Sequence, residues 1–319
     1  MSLLFPFYIV IGLGWLLRRL GGCPDAFLDQ AEQTCAWVFW PALFIPLLVT
    51  TSWAEQPLLP LAGALVTATV AVSGIALFLQ SRLNVGGVDA SLGVAAVTGP
   101  NLPITMGCAG ALVGVQGLAP VASVLLLLLF LNRIVSLILW LDPSNVAVAG
   151  QKANDKKKAR TLNGTHVAGV FIAMVDPLLI SGLVGAVLSG ARVTLPYALY
   201  EALSLLSRAA VPVGLLLVGT KLSFVAIPGR IRLGLVGAGC KLLLMPLLVL
   251  VAALLYRVPL AAAPGLPVVV LVLATAVPFT PAIITRGVGT VYYPGLAAHA
   301  TIQTLFSCAT LPFILHYLR

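Results

Sequence analysis

Two short segments and a few charges carry whatever chemistry this chain performs. Pro100-Asn101-Leu102-Pro103 and Pro278-Phe279-Thr280-Pro281 both read PxxP, lie 178 residues apart, and each sits inside a long apolar stretch. A proline removes a backbone donor and presses its ring against the carbonyl one turn back. Two prolines three positions apart, with Gly99 ahead of the first pair, therefore predict a broken helix. Backbone groups freed in hydrocarbon are costly unless protein or a wet cavity receives them. The polar side chains beside the breaks are Thr98, Asn101 and Thr105 in one, Thr280 and Thr285 in the other. With the freed backbone groups they make a candidate binding site for a polar solute. The competing reading is that the prolines only bend the helices and the threonines bond back to their own backbone.

Ionisable residues inside apolar segments face a cavity or a partner, because mid-membrane charge is expensive. Asp176, directly before Pro177, and the bases Arg208 and Lys241 all fall near mid-span. One acid and two bases leave surplus positive charge, which suits an anionic substrate such as a carboxylate. The positive ends of half-helices add to it. In this reading Lys241 or Arg208 supplies the potential. Alternatively Asp176 pairs with Arg208 or Lys241 to hold the bundle, or serves as a proton- or cation-coupling group. Arg133 and Arg286 lie nearer the ends and are expected to snorkel to the interface. His299 reads as core packing. No HExxH, GxSxG or Walker sequence occurs, nor any pair of intramembrane carboxylates, so the chain reads as a non-enzyme without cofactor or metal. Gly110-x-x-x-Gly114 is a close-packing pattern.

Composition supplies the setting for these residues. The 319 residues are 60% apolar and 8% charged, and the mean hydropathy is +1.09. A soluble domain needs roughly 25% charged residues, so a soluble enzyme, a secreted domain and a disordered chain are excluded. Continuous apolar runs of about 20 residues predict membrane helices, since barrel strands alternate over about ten. Ten spans are expected near 3–20, 34–53, 58–80, 90–115, 118–141, 166–190, 196–219, 233–256, 266–289 and 294–317. The first is a retained span, because Arg18 and Arg19 follow its apolar run. The five cysteines (Cys23, Cys35, Cys108, Cys240 and Cys308) are scattered, without CxxC spacing, and read as packing residues.

The long hydrophilic segment 142–165 divides the chain into a first five-helix unit, 1–141, and a second, 166–319. With the N-terminus outside, the cytoplasmic loops hold Arg18, Arg19, Arg82, Lys152, Lys156, Lys157, Lys158, Arg160, Lys221, Arg230 and Arg232, eleven bases against Arg192, Arg257 and Arg319 opposite. That asymmetry puts both termini outside, with a plasma or inner membrane as the setting. The net charge of +9 then reflects topology and not nucleic-acid binding. The run 156–160 reads as a topological anchor, with binding of anionic membrane lipid as the alternative. Asn163-Gly164-Thr165 would face the cytoplasm and is read as an accidental glycosylation match.

The halves also echo one another. Pro6 and Pro177, Gly14 and Gly185, and Pro41 and Pro212 are all 171 residues apart. An odd number of spans per unit inverts the second copy, the inverted-repeat architecture of many secondary transporters. Corresponding breaks in both copies are their best sequence pointer to a central site.

Several segments resemble the auxin efflux carrier family. Ala210-Val211-Pro212-Val213-Gly214-Leu215-Leu216-Leu217-Val218-Gly219-Thr220-Lys221-Leu222 is similar to its seventh-span signature. Lys241-Leu242-Leu243-Leu244-Met245-Pro246 resembles its eighth-span pattern, and Ala274-Thr275-Ala276-Val277-Pro278 its ninth-span crossing. The likeness runs through nearly the whole chain in span order and is clearest in the second half. It implies two inverted five-helix repeats, broken helices 4 and 9 crossing at mid-membrane, organic-anion substrates such as auxins or dicarboxylates, alternating access, and a homodimer. The chain departs from the family where Asp176 stands in place of an asparagine, and in having Asn101 only after Pro100. A sodium- or proton-coupled symporter of the bile-acid carrier type and a non-transporting membrane receptor are the alternatives.

Overall fold

The computed structural model describes residues 4–51, 57–85, 87–140, 176–228, 230–258 and 293–317. The described residues form helices and the turns between them, without a strand. In chain order the helices are α1 (Phe5–Arg19), α2 (Asp25–Val49), α3 (Leu58–Arg82), α4 (Gly87–Thr98), α5 (Leu102–Trp140), α6 (Pro177–Gly190), α7 (Tyr197–Thr220), α8 (Ile231–Leu255) and α9 (Tyr293–Tyr317). Among the described residues, five stretches are long and apolar enough to cross a membrane: α2, the Leu59–Arg82 part of α3, the Leu118–Leu139 part of α5, α7 and α8. The protein is thus an all-helical chain built for a membrane. The expected ninth span and the basic segment 142–165 lie outside the described residues.

Local chemistry explains the departures from straight rods. In α2 and α8 a π-turn precedes a proline. Trp40 N–H reaches back to the Cys35 carbonyl, and Met245 N–H to the Cys240 carbonyl, with Pro41 and Pro246 next in line. The extra residue in the turn makes room for a proline ring that would otherwise strike the preceding turn. The π-turn also lets α2 run continuously from the polar residues at Asp25, nine positions before the expected start of that span. Gly114 (φ 66°, ψ −169°) splits α5 into two arms. Only glycine adopts that conformation readily. Among the described residues only Leu118, at 3.8 Å, would meet a Cβ on Gly110. Gly110-x-x-x-Gly114 is therefore a corner and not the close-packing face its spacing predicted.

The helices pack in two groups. One holds α1 against α7, and α2 against both α6 and α7; the other holds α3 against α8 and α4, and α8 against α9. The second arm of α5 joins them in one core that includes Phe44, Leu65, Leu125, Leu129 and Val249. Glycines set the closest approaches. A Cβ on Gly14 would overlap the Leu216 carbonyl, and one on Gly185 would lie 2.8 Å from the Leu48 Cβ and 3.4 Å from the Ile45 carbonyl. Ile45 and Leu216 are 171 positions apart, like the two glycines.

Helix ends repeat at the same offset. Gly21 and Arg192, again 171 apart, both have positive φ (68° and 54°). Each is followed by an amide that closes back over the turn, Gly22 to the Leu17 carbonyl at 3.2 Å and Val193 to the Leu188 carbonyl at 3.0 Å. Asn84 and Arg257 (φ 55° and 52°) end α3 and α8 in the same manner, with Val85 to Gln80 at 3.0 Å and Val258 to Ala253 at 2.9 Å. This is the left-handed cap that satisfies a helix's last carbonyls.

One end of the bundle gathers the bases that the charge count assigned to a common side. Arg18 donates to the Thr220 carbonyl at 2.7 Å, Lys221 pairs with Glu32 at 2.8 Å, and Arg230 pairs with Asp89 at 3.0 Å. Enlarging the glycine at the α1–α7 contact provides a direct check on this packing. Gly14→Val and Gly185→Val are each expected to lower stability in detergent by about 1–3 kcal/mol. Gly12→Ala, where nothing among the described residues lies within 4 Å, should stay within about 0.5 kcal/mol of the native chain. Thermal unfolding followed by circular dichroism measures all three.

Candidate functional site

The first predicted break is present. Helix α4 stops at Thr98, three residues follow without helical structure, and α5 starts at Leu102. The Gly99 amide still donates to the Ala95 carbonyl at 2.9 Å, and helix resumes where the Thr105 amide donates to the Asn101 carbonyl at 3.0 Å. Pro100 and Pro103, having no N–H, flank a gap that no donor of theirs can close. The Asn101 side chain caps the second helix: its Oδ1 accepts from the Ile104 amide at 3.1 Å. Residues 94–106 are buried almost without exception, and Asn101 and Thr105 are completely so.

Burial makes the leftover polar atoms informative. Asn101 Nδ2 and Thr105 Oγ1 have no hydrogen-bond partner among the described residues. Native interiors satisfy most such atoms, so each unpaired one needs a reason. Two more groups in the same condition pack nearby: both amide atoms of Gln80 and both ring nitrogens of His299. Gln80 closes on Gly93 of α4, and His299 on Gly237 of α8. The interrupted helix is thus flanked by buried polar atoms with bonding capacity to spare.

Thr98 has a different use. Its hydroxyl donates to the Val94 carbonyl at 3.1 Å and accepts from Asn132 Nδ2 at 2.7 Å. The other Asn132 amide hydrogen goes to the Ala95 carbonyl at 3.2 Å. Asn132 therefore ties the end of α4 to the second arm of α5, and Thr98 is held in that clasp. Gln303 on α9 makes a matching tie to the Ala96 carbonyl at 3.2 Å. Neither Asn132 nor Gln303 figured among the candidates drawn from the sequence. Asn132 stands next to Arg133 and Gln303 between Thr301 and Thr304, with no proline or glycine break beside either to mark it.

Lys241 sits inside the α8 π-turn and is 1% exposed. That turn packs against α3, α4 and α9. Among the described residues no hydrogen bond or ion pair to Lys241 is found. An ammonium group buried without a counter-charge is costly, and here it is positioned beside the interrupted helix. Arg208, by contrast, is exposed on the outer face of α7. Among the described residues it therefore lies apart from the buried groups around the interruption. Period alone could not tell which side of α7 it occupied.

Asp176 is also placed differently from expectation. It is the N-cap of α6, where Oδ1 accepts from the Leu178 amide at 2.9 Å. Its Oδ2 accepts from Arg133 at 2.6 Å. The expected partners were Arg208 or Lys241; the partner is Arg133, which is 9% exposed and so does not snorkel. With both oxygens engaged, Asp176 anchors α6 to α5, and the geometry favours that role over ion coupling. Breaking a buried pair from one side strands the other charge, at about 3 kcal/mol or more. Asp176→Asn, which retains the cap, should lose about that much stability in denaturant titrations, and pairing it with Arg133→Met should restore most of it.

Pro278, Thr280, Pro281 and Thr285 of the second break lie outside the described residues. The five cysteines are free. Comparison with protein-family models and with curated proteins finds no match for the chain.

Proposed function

We propose that the chain is a secondary carrier that moves a small organic anion, a carboxylate, across a membrane by alternating access. The observation that carries this reading is the interruption at Gly99–Asn101. A three-residue break in a buried stretch, with Asn101 Nδ2 and Thr105 Oγ1 unpaired among the described residues and the π-turn that holds Lys241 packed against α4, is costly as pure scaffolding. It becomes useful when a polar solute completes its hydrogen bonds. Lys241 then supplies the positive charge for an anion, and Asn101 Nδ2 and Thr105 Oγ1 supply directional contacts.

The proposal includes ten spans in two inverted five-helix repeats, with Pro278, Thr280, Pro281 and Thr285 forming the second interruption. Support comes from the glycine contacts and the left-handed caps that recur at offsets of 171 to 173, and from matching helix lengths. Helices α1 and α6 have 15 and 14 residues, α2 and α7 have 25 and 24, and α8 has 25, as does α3. A likeness to the auxin efflux carrier family, resting on the segments quoted above, points the same way. Cytoplasmic placement of the basic end, termini outside, and a homodimer belong to the same proposal.

Purified protein in sealed proteoliposomes, presented in turn with labelled monocarboxylates, dicarboxylates and indole acids, tests it. Accumulation of at least one acid above protein-free vesicles is expected, saturable and blocked by unlabelled acid. Saturable binding without accumulation would identify a receptor and overturn the carrier reading.

A further inference from the structure

At the basic end of the bundle a cavity of about 610 Å³ opens between the end of α3 and the start of α8, lined by Arg82, Asn84, Asp89, Arg230 and Arg232 among others. It lies at the opposite end of α4 from the interruption: Asp89 and Thr98 are separated by nine positions, roughly 14 Å of helical rise. We propose that this cavity is a second anion site, one that takes a phosphate-bearing ligand.

The charges are arranged for such a ligand. Arg230 is engaged by Asp89 at 3.0 Å and packs over Gly295 at the start of α9, so it is held in place. Arg82 and Arg232 are exposed side chains with no carboxylate partner among the described residues. Three guanidiniums and one carboxylate leave two positive charges, the complement of a phosphate dianion. Planar guanidinium forks bind phosphate oxygens in pairs, which a single carboxylate cannot exploit as fully. Ile231, Arg232 and Leu233 form the first turn of α8 and line the cavity. The opening amides of a helix have no intrahelical acceptor and favour an anion. The volume exceeds the need of a bare ion and fits a phosphorylated headgroup or a small phosphorylated metabolite.

Both sources are chemically reasonable. The Arg82 guanidinium lies 4.9 Å from the centre of the Phe78 ring, whose side chain points outward from the bundle at 56% exposure, so lipid headgroups have access beside it. The inference does not depend on transport at the interrupted helix.

Full-length protein is compared in two settings: in detergent with and without inorganic pyrophosphate, and in phosphatidylcholine nanodiscs with and without phosphatidic acid. Ligand that binds only the folded chain raises its unfolding midpoint. At least one probe is expected to raise the midpoint, and the double variant Arg82→Gln/Arg232→Gln should weaken the corresponding affinity at least about tenfold. A response to pyrophosphate in detergent identifies a soluble phosphate as ligand; a response to phosphatidic acid alone identifies a lipid. The two side chains are exposed, so the variant should fold, and its midpoint without ligand verifies that. If neither probe shifts the native midpoint, or if the double variant binds as tightly as the native chain, the arginines serve only membrane orientation and the proposal fails.

Discussion

A Lys241→Met variant is expected to fold, to unfold at a temperature equal to or above that of the native chain, and to lose anion flux by about 10- to 100-fold. The stability half follows from burial. Lys241 is 1% exposed and has no partner among the described residues, so its charged form is desolvated without an offsetting group among them. Methionine fills a similar volume without that burden, and exchanging buried charge for apolar bulk is often neutral or stabilising. The flux half follows from the anion's need for a counter-charge. A hydrogen bond to a charged group is worth about 1.5–3 kcal/mol, and 1.4 kcal/mol is a factor of ten. Lys241→Arg retains the charge but not the compact shape, and a rigid fork does not fit where a flexible stem is enclosed. Partial flux at best is expected from it. Proteoliposome uptake and thermal unfolding of the three proteins decide the matter. Unchanged flux in Lys241→Met would remove the lysine from the site, whereas loss of stability would make it a structural residue.

What was legible in the sequence follows from which forces act locally. Apolar run length, the prolines and Gly99 act within one turn of helix, so the helical class and the interruption at Gly99–Asn101 could be read directly. Asn101 as a polar side chain at the break was equally plain. Facing and pairing were not. Arg208 and Lys241 have the same kind of sequence surroundings, yet one lies outside the bundle and the other within it, because the packing partners of α7 and α8 decide which face is covered. The Arg133–Asp176 pair spans 43 positions across the α5–α6 connection, and charge sign alone could not choose Arg133 over two other bases. The recurring left-handed caps were hidden for another reason. Glycine at position 21 is matched by Arg192, and Asn84 by Arg257, so the backbone repeats while the residue type does not. Gly114 misled in the opposite sense, since its spacing from Gly110 looked like a packing face and its φ makes it a corner.

An Asn101→Ser variant separates the two roles of its side chain. The Oδ1 atom caps α5 by accepting from Ile104, whereas Nδ2 is buried without a partner among the described residues. Serine is as good an N-cap as asparagine, so the restart of α5 should persist and the unfolding midpoint should hardly move. What serine lacks is the buried amide donor. If that donor binds substrate, flux should fall by about tenfold, and the loss should appear as a weaker half-saturation concentration for the acid. Asn101→Ala removes cap and donor together and should add a stability loss of about 0.5–2 kcal/mol. The orphan donor cannot be only an imperfection of packing under this outcome, because deleting an unsatisfied buried group would then raise stability and leave uptake unchanged. That opposite pattern, a more stable Asn101→Ser protein with native flux, would show that the interruption serves the fold alone and would move the search for the substrate to the other end of α4.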